Sequence, residues 1–449
     1  MAFRNKIVFV FLFIVTIYPD AFAQNPVISD TNFTLSNTIL IAFQNNKDIQ
    51  MQEQEVAIAS ANILGATSPF LPQINLQGSY THNDKVLAPA NIFSGFKNDN
   101  LAQLALSQSI YSGGANMANF NQAKLSLEVQ QETLRAKKMD VEFEAKKIYY
   151  GLLLAYETER IASEALDQAV AHYENVKHMY EQGTASRFDL LQSGIQVSLL
   201  EPNVVKAKNE IDSLKADLNK LLARKIDSLI QTKEKLDYSF IGIKENEFLK
   251  AAYLNRPEMK LKSLGIDIDK WGIQMARSGY RPTIDLLGNL NYRSNNLGNM
   301  LNQKQQNWNV GISVNIPIFE GFSTKAKVAA ATALYAQSKI DKDNLVDSIA
   351  VEVRKACLNL KEAASIIRSQ KDNVAEAKEA LRIAEVSYQN GVAINLDVLD
   401  SQVSLAQIQT NLASGIYDYL MALAYLDRSI GKSLIKEKVP GANKVFHVN

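Results

Sequence analysis

Polar and apolar positions along the chain follow two different periods. From Ala115 to Gln182, and again from Ser323 to Asn390, the sequence runs for 68 residues without proline, and Gly151 is the only glycine. Apolar residues recur there at three- and four-residue steps, as in Val351, Val353, Ala356, Leu358, Leu360, Ala363 and Ile366. The stretches are rich in Ala, Leu, Glu, Lys and Gln, which favour helix. At a rise of about 1.5 Å per residue, each predicted helix is roughly 100 Å long. No compact domain can contain one.

Each long helix is predicted to stop at a glycine turn, Glu181-Gln182-Gly183 or Gln389-Asn390-Gly391. A second helix then starts near Ser186 or Asn395, residue types that cap helix N-termini, with Asp189 and Asp397 in the first turn where the helix dipole favours an anion. The result is two antiparallel helical hairpins, 115–223 and 323–430. Pro202 predicts a break in the first returning helix, and Thr410 stands at that place in the second.

Between the helices the period changes to two. Ile284, Leu286, Gly288, Leu290 and Tyr292 alternate with Asp285, Asn289, Asn291 and Arg293. Trp308, Val310, Ile312, Val314 and Ile316 alternate with Asn309, Gly311, Ser313 and Asn315. A weaker version occupies Ile74, Leu76 and Tyr80, followed by Leu104, Leu106 and Ile110. These segments predict strands at about 71–84, 101–112, 281–294 and 307–319. Their length, alternation and terminal aromatics suit transmembrane strands, although a soluble sheet with one buried face reads similarly. Four strands cannot close a barrel, and an open edge cannot face lipid, so a membrane reading requires several chains around one barrel. Segments 85–98 and 295–304 would then be outer loops.

The same order of elements occurs twice. A shift of 210 places Pro72 on Pro282, Asn45 on Asn255 and Ile74 on Ile284; a shift of 208 places Gly113 on Gly321, Tyr180 on Tyr388, Gly183 on Gly391 and Asp189 on Asp397. A repeat of that length implies a pseudo-symmetric body rather than a solenoid.

Residues 1–23 have a basic start, an apolar run from Ile7 to Tyr18 and the small-x-small site Ala21-Phe22-Ala23, the three parts of a secretory signal peptide. The chain holds 48 Lys and Arg against 47 Asp and Glu; without Arg4, Lys6 and Asp20 it is formally neutral, which suggests no nucleic-acid partner. The single cysteine, Cys357, permits no intramolecular disulfide and reads as a small buried residue. His82, His172, His178 and His447 show no metal-ligand clustering, and no phosphate loop or nucleophile elbow is present. No enzyme activity, metal or cofactor is expected.

The mature chain resembles the TolC-like outer membrane efflux proteins. The resemblance rests on the duplication, on the strand entries Pro72-Gln73-Ile74 and Pro282-Thr283-Ile284, and on the exits Ile110-Tyr111-Ser112-Gly113 and Ile318-Phe319-Glu320-Gly321. It rests also on the turns Tyr180-Glu181-Gln182-Gly183-Thr184, leading to Asp189-Leu190-Leu191, and Tyr388-Gln389-Asn390-Gly391-Val392, leading to Asp397-Val398-Leu399-Asp400. It implies an α+β membrane protein. Three chains would contribute four strands each to a twelve-stranded barrel in the outer membrane of a Gram-negative bacterium, and their long hairpins would form a periplasmic α-barrel. The first repeat would span 24–223 and the second 257–430, with equatorial segments at about 24–35, 224–256 and 431–449.

The implied function is a passive exit duct for a tripartite efflux or type I secretion system. Its partners would be a periplasmic adaptor, an inner-membrane pump of the RND, ABC or MFS type, and outer membrane lipid. The resemblance assigns adaptor docking to the hairpin tips, here Tyr180, Gly183, Thr184, Asp189, Tyr388, Gly391 and Val392. It assigns a periplasmic gate to Asp397 and Asp400, which three-fold symmetry would turn into six carboxylates. Read from spacing alone, the two aspartates share one helix face and could simply be helix-start anions. Family members often carry Thr-Arg after the second glycine, where this chain has Val392-Ala393. Arg187 is therefore the candidate latch. The rival reading is a periplasmic coiled-coil adaptor or scaffold of an export system, for which a single hairpin inserted in compact β domains is expected.

Overall fold

The computed structural model describes residues 33–84, 97–296, 298 and 306–433. The signal segment, most of the predicted outer loops and the tail beyond 433 lie outside the described residues. Each half begins with a pair of helices, α1 (Leu35–Asn45) and α2 (Lys47–Thr67) in the first, α5 (Glu245–Asn255) and α6 (Pro257–Ser278) in the second. Two strands follow in each half, β1 (Gln73–His82) and β2 (Asn98–Ser112), then β3 (Thr283–Ser294) and β4 (Gln306–Asn315). Each half ends in a hairpin, α3 (Ala115–Glu181) with α4 (Arg187–Leu221), and α7 (Ser323–Gln389) with α8 (Asn395–Ile430).

α3 and α7 are continuous over 67 residues each. The turns that end them need left-handed backbone, which Gly183 (φ 77°) and Gly391 (φ 73°) supply without the penalty a Cβ would bring. Two expectations fail here. α4 runs through Pro202 without interruption. The proline removes one N–H donor, but its neighbourhood is solvent-exposed, so water can satisfy the freed carbonyl and the helix continues. Asn395 is not a cap: Ile394 holds that position and Asn395 is the first helical residue, buried.

The four strands form one antiparallel meander in the order β1-β2-β3-β4. Ile74 pairs with Leu106, Leu106 with Gly288 and Gly288 with Val310. This register places the alternating apolar residues of all four strands on one face, because successive side chains point to opposite sides. β2 shifts register between Ser109 and Tyr111. β4 ends at Asn315, so Ile316 to Phe319 continue the apolar pattern without continuing the sheet.

Helical packing concentrates buried side chains in three places. One core joins α1, α3, α4 and the linker through Ile39, Leu152, Leu218 and Ile230. Its counterpart in the second half joins α5, α7 and α8 through Phe248, Val353, Leu360 and Leu426. The third lies between the two hairpin tips and contains Val176, Leu381, Tyr388, Val398 and Leu405. Cys357 is a free, buried member of the second core, where burial raises its thiol pKa.

Candidate functional site

The sheet has two chemically distinct faces and two unpaired edges. Its apolar face carries Ile74, Leu76, Leu104, Trp308, Val310, Ile312 and Val314, all exposed in the single chain. Exposed alternating apolar side chains at these positions, on strands about as long as a bilayer requires, suit contact with lipid. The opposite face carries mainly amides and hydroxyls, together with Asp99, Asp285 and Arg293 and the apolar Leu101 and Leu287. Among the described residues, β1 and β4 each lack a strand neighbour on one side.

At the other end of the long helices, the tips hold most of the predicted docking residues at the surface. Tyr180, Gly183, Thr184, Gly391 and Val392 are exposed and Asp189 is half-buried, whereas Tyr388 is buried and packs against His172 with ring centroids 5.4 Å apart. Burial raises the Tyr388 pKa, with Asp189 adding to the effect. Thr184 Oγ1 donates to the Met179 carbonyl at 3.0 Å, bracing the first turn.

Asp189 closes a reciprocal cap: its amide N–H donates to Ser186 Oγ at 3.1 Å, and its carboxylate accepts from the Ser186 N–H at 3.2 Å. Only half of that arrangement exists in the second hairpin. The Asp397 carboxylate accepts from the Ile394 N–H at 3.0 Å, but isoleucine offers no side-chain acceptor in return. Asp397 and Asp400 are both exposed on α8. Neither forms an ion pair among the described residues, and Arg187 forms none either.

Sequence reasoning missed a polar tie between the tips. His172 Nε2 lies 2.7 Å from Asn395 Oδ1 in a buried contact, and Asn395 Nδ2 donates to Gln192 Oε1 at 3.2 Å and to the Asp189 carbonyl at 3.4 Å. A second missed tie joins the halves nearer the equator, where Lys146 Nζ lies 2.9 Å from Asp427 and 2.8 Å from Glu142. Burial opposes the Lys146 charge, but Asp427 and Glu142 outweigh it and hold the ammonium pKa above its usual range. Partners separated by more than 200 residues leave no local signal; only the identity of buried polar types hints at them.

A sheet with a lipid-compatible face, standing on helices of this length and written twice, defines an outer membrane channel component. The chain belongs to the outer membrane efflux protein family, whose model matches residues 39–224 and 248–432, one block in each half. It is 23% identical to the outer membrane protein TolC of Vibrio cholerae, over 82% of this chain and 84% of that one. It is 22% identical to the alkaline protease secretion protein AprF of Pseudomonas aeruginosa, over 73% of this chain and 68% of that one. Its fold matches the crystal structure of the outer membrane protein VceC of Vibrio cholerae with a TM-score of 0.77 at 17% identity, covering 89% and 97% of the two chains. The protein is thus an outer membrane efflux channel with a periplasmic helical portion, and the adaptor alternative is set aside.

Proposed function

We propose that three copies close a twelve-stranded barrel and a continuous helical tunnel, through which cargo passes without any chemical step. The carrying observation is the four-stranded sheet with an apolar face and two unpaired edges. In lipid each edge would leave backbone groups unsatisfied, so β1 of one copy pairs with β4 of the next. Crosslinking of outer membrane fractions should give a three-chain species. A soluble single chain obtained without detergent would overturn the reading.

In this duct the tips receive a periplasmic adaptor, which links the channel to an inner-membrane pump of the RND, ABC or MFS type. Tyr180, Gly183, Thr184, Asp189, Gly391 and Val392 form the contact surface, with Tyr388 supporting it from inside. A Cβ at Gly183 or Gly391 would meet no atom within 4 Å, so Gly183→Val and Gly391→Val strain only the turn backbone, by about 1–2 kcal/mol each. Efflux should fall while the three-chain species persists; unchanged efflux would remove the tips as the docking surface.

Asp397 and Asp400 line the closed end as a ring of six carboxylates, and Arg187 is the cation available to latch a neighbouring copy. Asp397→Asn with Asp400→Asn should weaken block by divalent cations in planar bilayers, as neutralising a charged ring does. Unchanged block would leave them as helix-start anions.

A further inference from the structure

The four strands contain only three charged residues, Asp99, Asp285 and Arg293, and they are unequal in their surroundings. Asp99 and Arg293, at the end farther from the helices, cancel one another through two hydrogen bonds of 2.8 and 2.6 Å. Between that pair and the helical end, the face opposite the apolar one is rich in amides, interrupted by Ala105 and Leu287. Gln77, Gln103, Asn291 and Asn307 stand in one register row across all four strands. Gln103 Nε2 donates to Asn289 Oδ1 and Asn289 Nδ2 to Asn309 Oδ1, each at 3.0 Å, so the amides partly satisfy one another.

Asp285 lies at the other end of the same face, two residues into β3. Its register partners are Ser109 and Ser313, and together they line a mixed recess of about 280 Å³ with Gln73, Asn116, Leu71 and Leu287. No ion pair engages it among the described residues. Alternation puts Asp285 on the same side as Asn289, Asn291 and Arg293, away from lipid.

We propose that Asp285 sets the ionic preference of the barrel: three copies ring its inner mouth and favour cations or cationic cargo groups, while the amide-rich face beyond acts on cargo chiefly through hydrogen bonds. This rests on the three-chain channel proposed above. Charge selection therefore occurs at two separate levels, the hairpin tips and the mouth of the barrel. The uncompensated carboxylate is effective because nothing else on the strands offsets it, and lumen-facing positions of a barrel can be changed without disturbing its lipid contacts.

The test uses the full-length protein in planar bilayers under a KCl gradient, in an Asp397→Asn/Asp400→Asn background that silences the tips. Adding Asp285→Asn should lower the potassium-to-chloride permeability ratio by about twofold or more, and Asp285→Glu should keep it, as expected for a charged ring. Arg293→Gln should raise the ratio by uncovering Asp99. Both shifts should shrink in about 1 M salt, where the screening length falls to ~3 Å. Pores of normal conductance whose reversal potential ignores Asp285→Asn would overturn this inference and leave the channel intact. Failure of the unmodified protein to form pores would instead overturn the channel reading, and this inference with it.

Discussion

The two halves build the same hairpin but fasten its ends differently. In the first, the fastenings are local. Ser186 and Asp189 cap α4 between themselves, and Asn219 near its end donates to the carbonyls of Ile226 and Ser228, both at 2.8 Å. In the second, the equivalent positions reach across the molecule. Ile394 stands where Ser186 would be, and Asp427 takes the place of Asn219 and pairs with Lys146 of α3. Asn395, equivalent to the exposed Arg187, bonds to His172 and to the first turn. The second hairpin thus depends on the first for contacts that the first makes within itself. A duplicated element can keep its geometry while its end contacts are reassigned, and here the reassignment joins the two copies.

That contrast breaks most completely at Lys146. Lys146→Met removes the cation beside the buried carboxylate of Asp427, which keeps the Ser433 hydroxyl, and should cost about 3–5 kcal/mol, read as a loss of urea resistance in detergent; Lys146→Met/Asp427→Leu should recover most of it. The pH dependence has a definite sign. Because the folded-state ammonium pKa is raised, its stabilisation is fully present below the ordinary lysine value of about 10.4 and fades as pH climbs beyond it. The double variant should lack that alkaline component.

The exits of α4 and α8 sharpen the comparison. Both take left-handed backbone, at Ala223 (φ 51°) in the first half and Gly431 (φ 72°) in the second. A Cβ on Gly431 would sit 2.7 Å from the Asn255 backbone, so Gly431→Ala should cost more than the ~1–2 kcal/mol of backbone strain alone. Ala223→Gly should instead gain up to about 1 kcal/mol. Thermal unfolding by circular dichroism would compare them, and equal responses would contradict the asymmetry.

Asn395→Leu leaves the buried His172 without its partner and should cost about 2 kcal/mol, while Arg187→Leu at the equivalent exposed position changes stability little. Limited proteolysis at the tips reads the difference. The smallest expected effect is at the caps: Ile394→Ser supplies the missing acceptor and should gain about 1 kcal/mol, and Ser186→Ala should lose a similar amount. Hydrogen exchange of the first turns of α4 and α8 would show whether the two ends then become alike.

Much of this architecture was legible because membrane and tunnel impose simple periods. Lipid on one side of a strand and water on the other force the alternation seen from Ile284 to Tyr292, and a helix free of Pro and nearly free of Gly reads as long because nothing stops it. The turns were legible through Gly183 and Gly391, where positive φ leaves little choice of residue. Pro202 misled because a proline at an exposed position loses a hydrogen bond that water replaces. Asn395 misled because capping preference is weaker than the demand of a buried histidine for a partner. The tip positions followed from the turns, but the inward orientation of Tyr388 did not, since spacing along a helix does not say which neighbour covers it. The charge pattern around Asp285 needed the register of all four strands.

The unpaired edges of β1 and β4 also bear on inheritance. A strand edge that must be met by another copy makes every copy answerable for its neighbours, since one faulty edge leaves an opening that lipid cannot seal. In the proposed trimer, a cell making normal and edge-damaged chains in equal amounts would build only about one wholly normal channel in eight, if chains mix at random. Lesions in β1 or β4 should therefore behave as dominant, whereas lesions confined to helix caps should be masked by a normal copy of the gene.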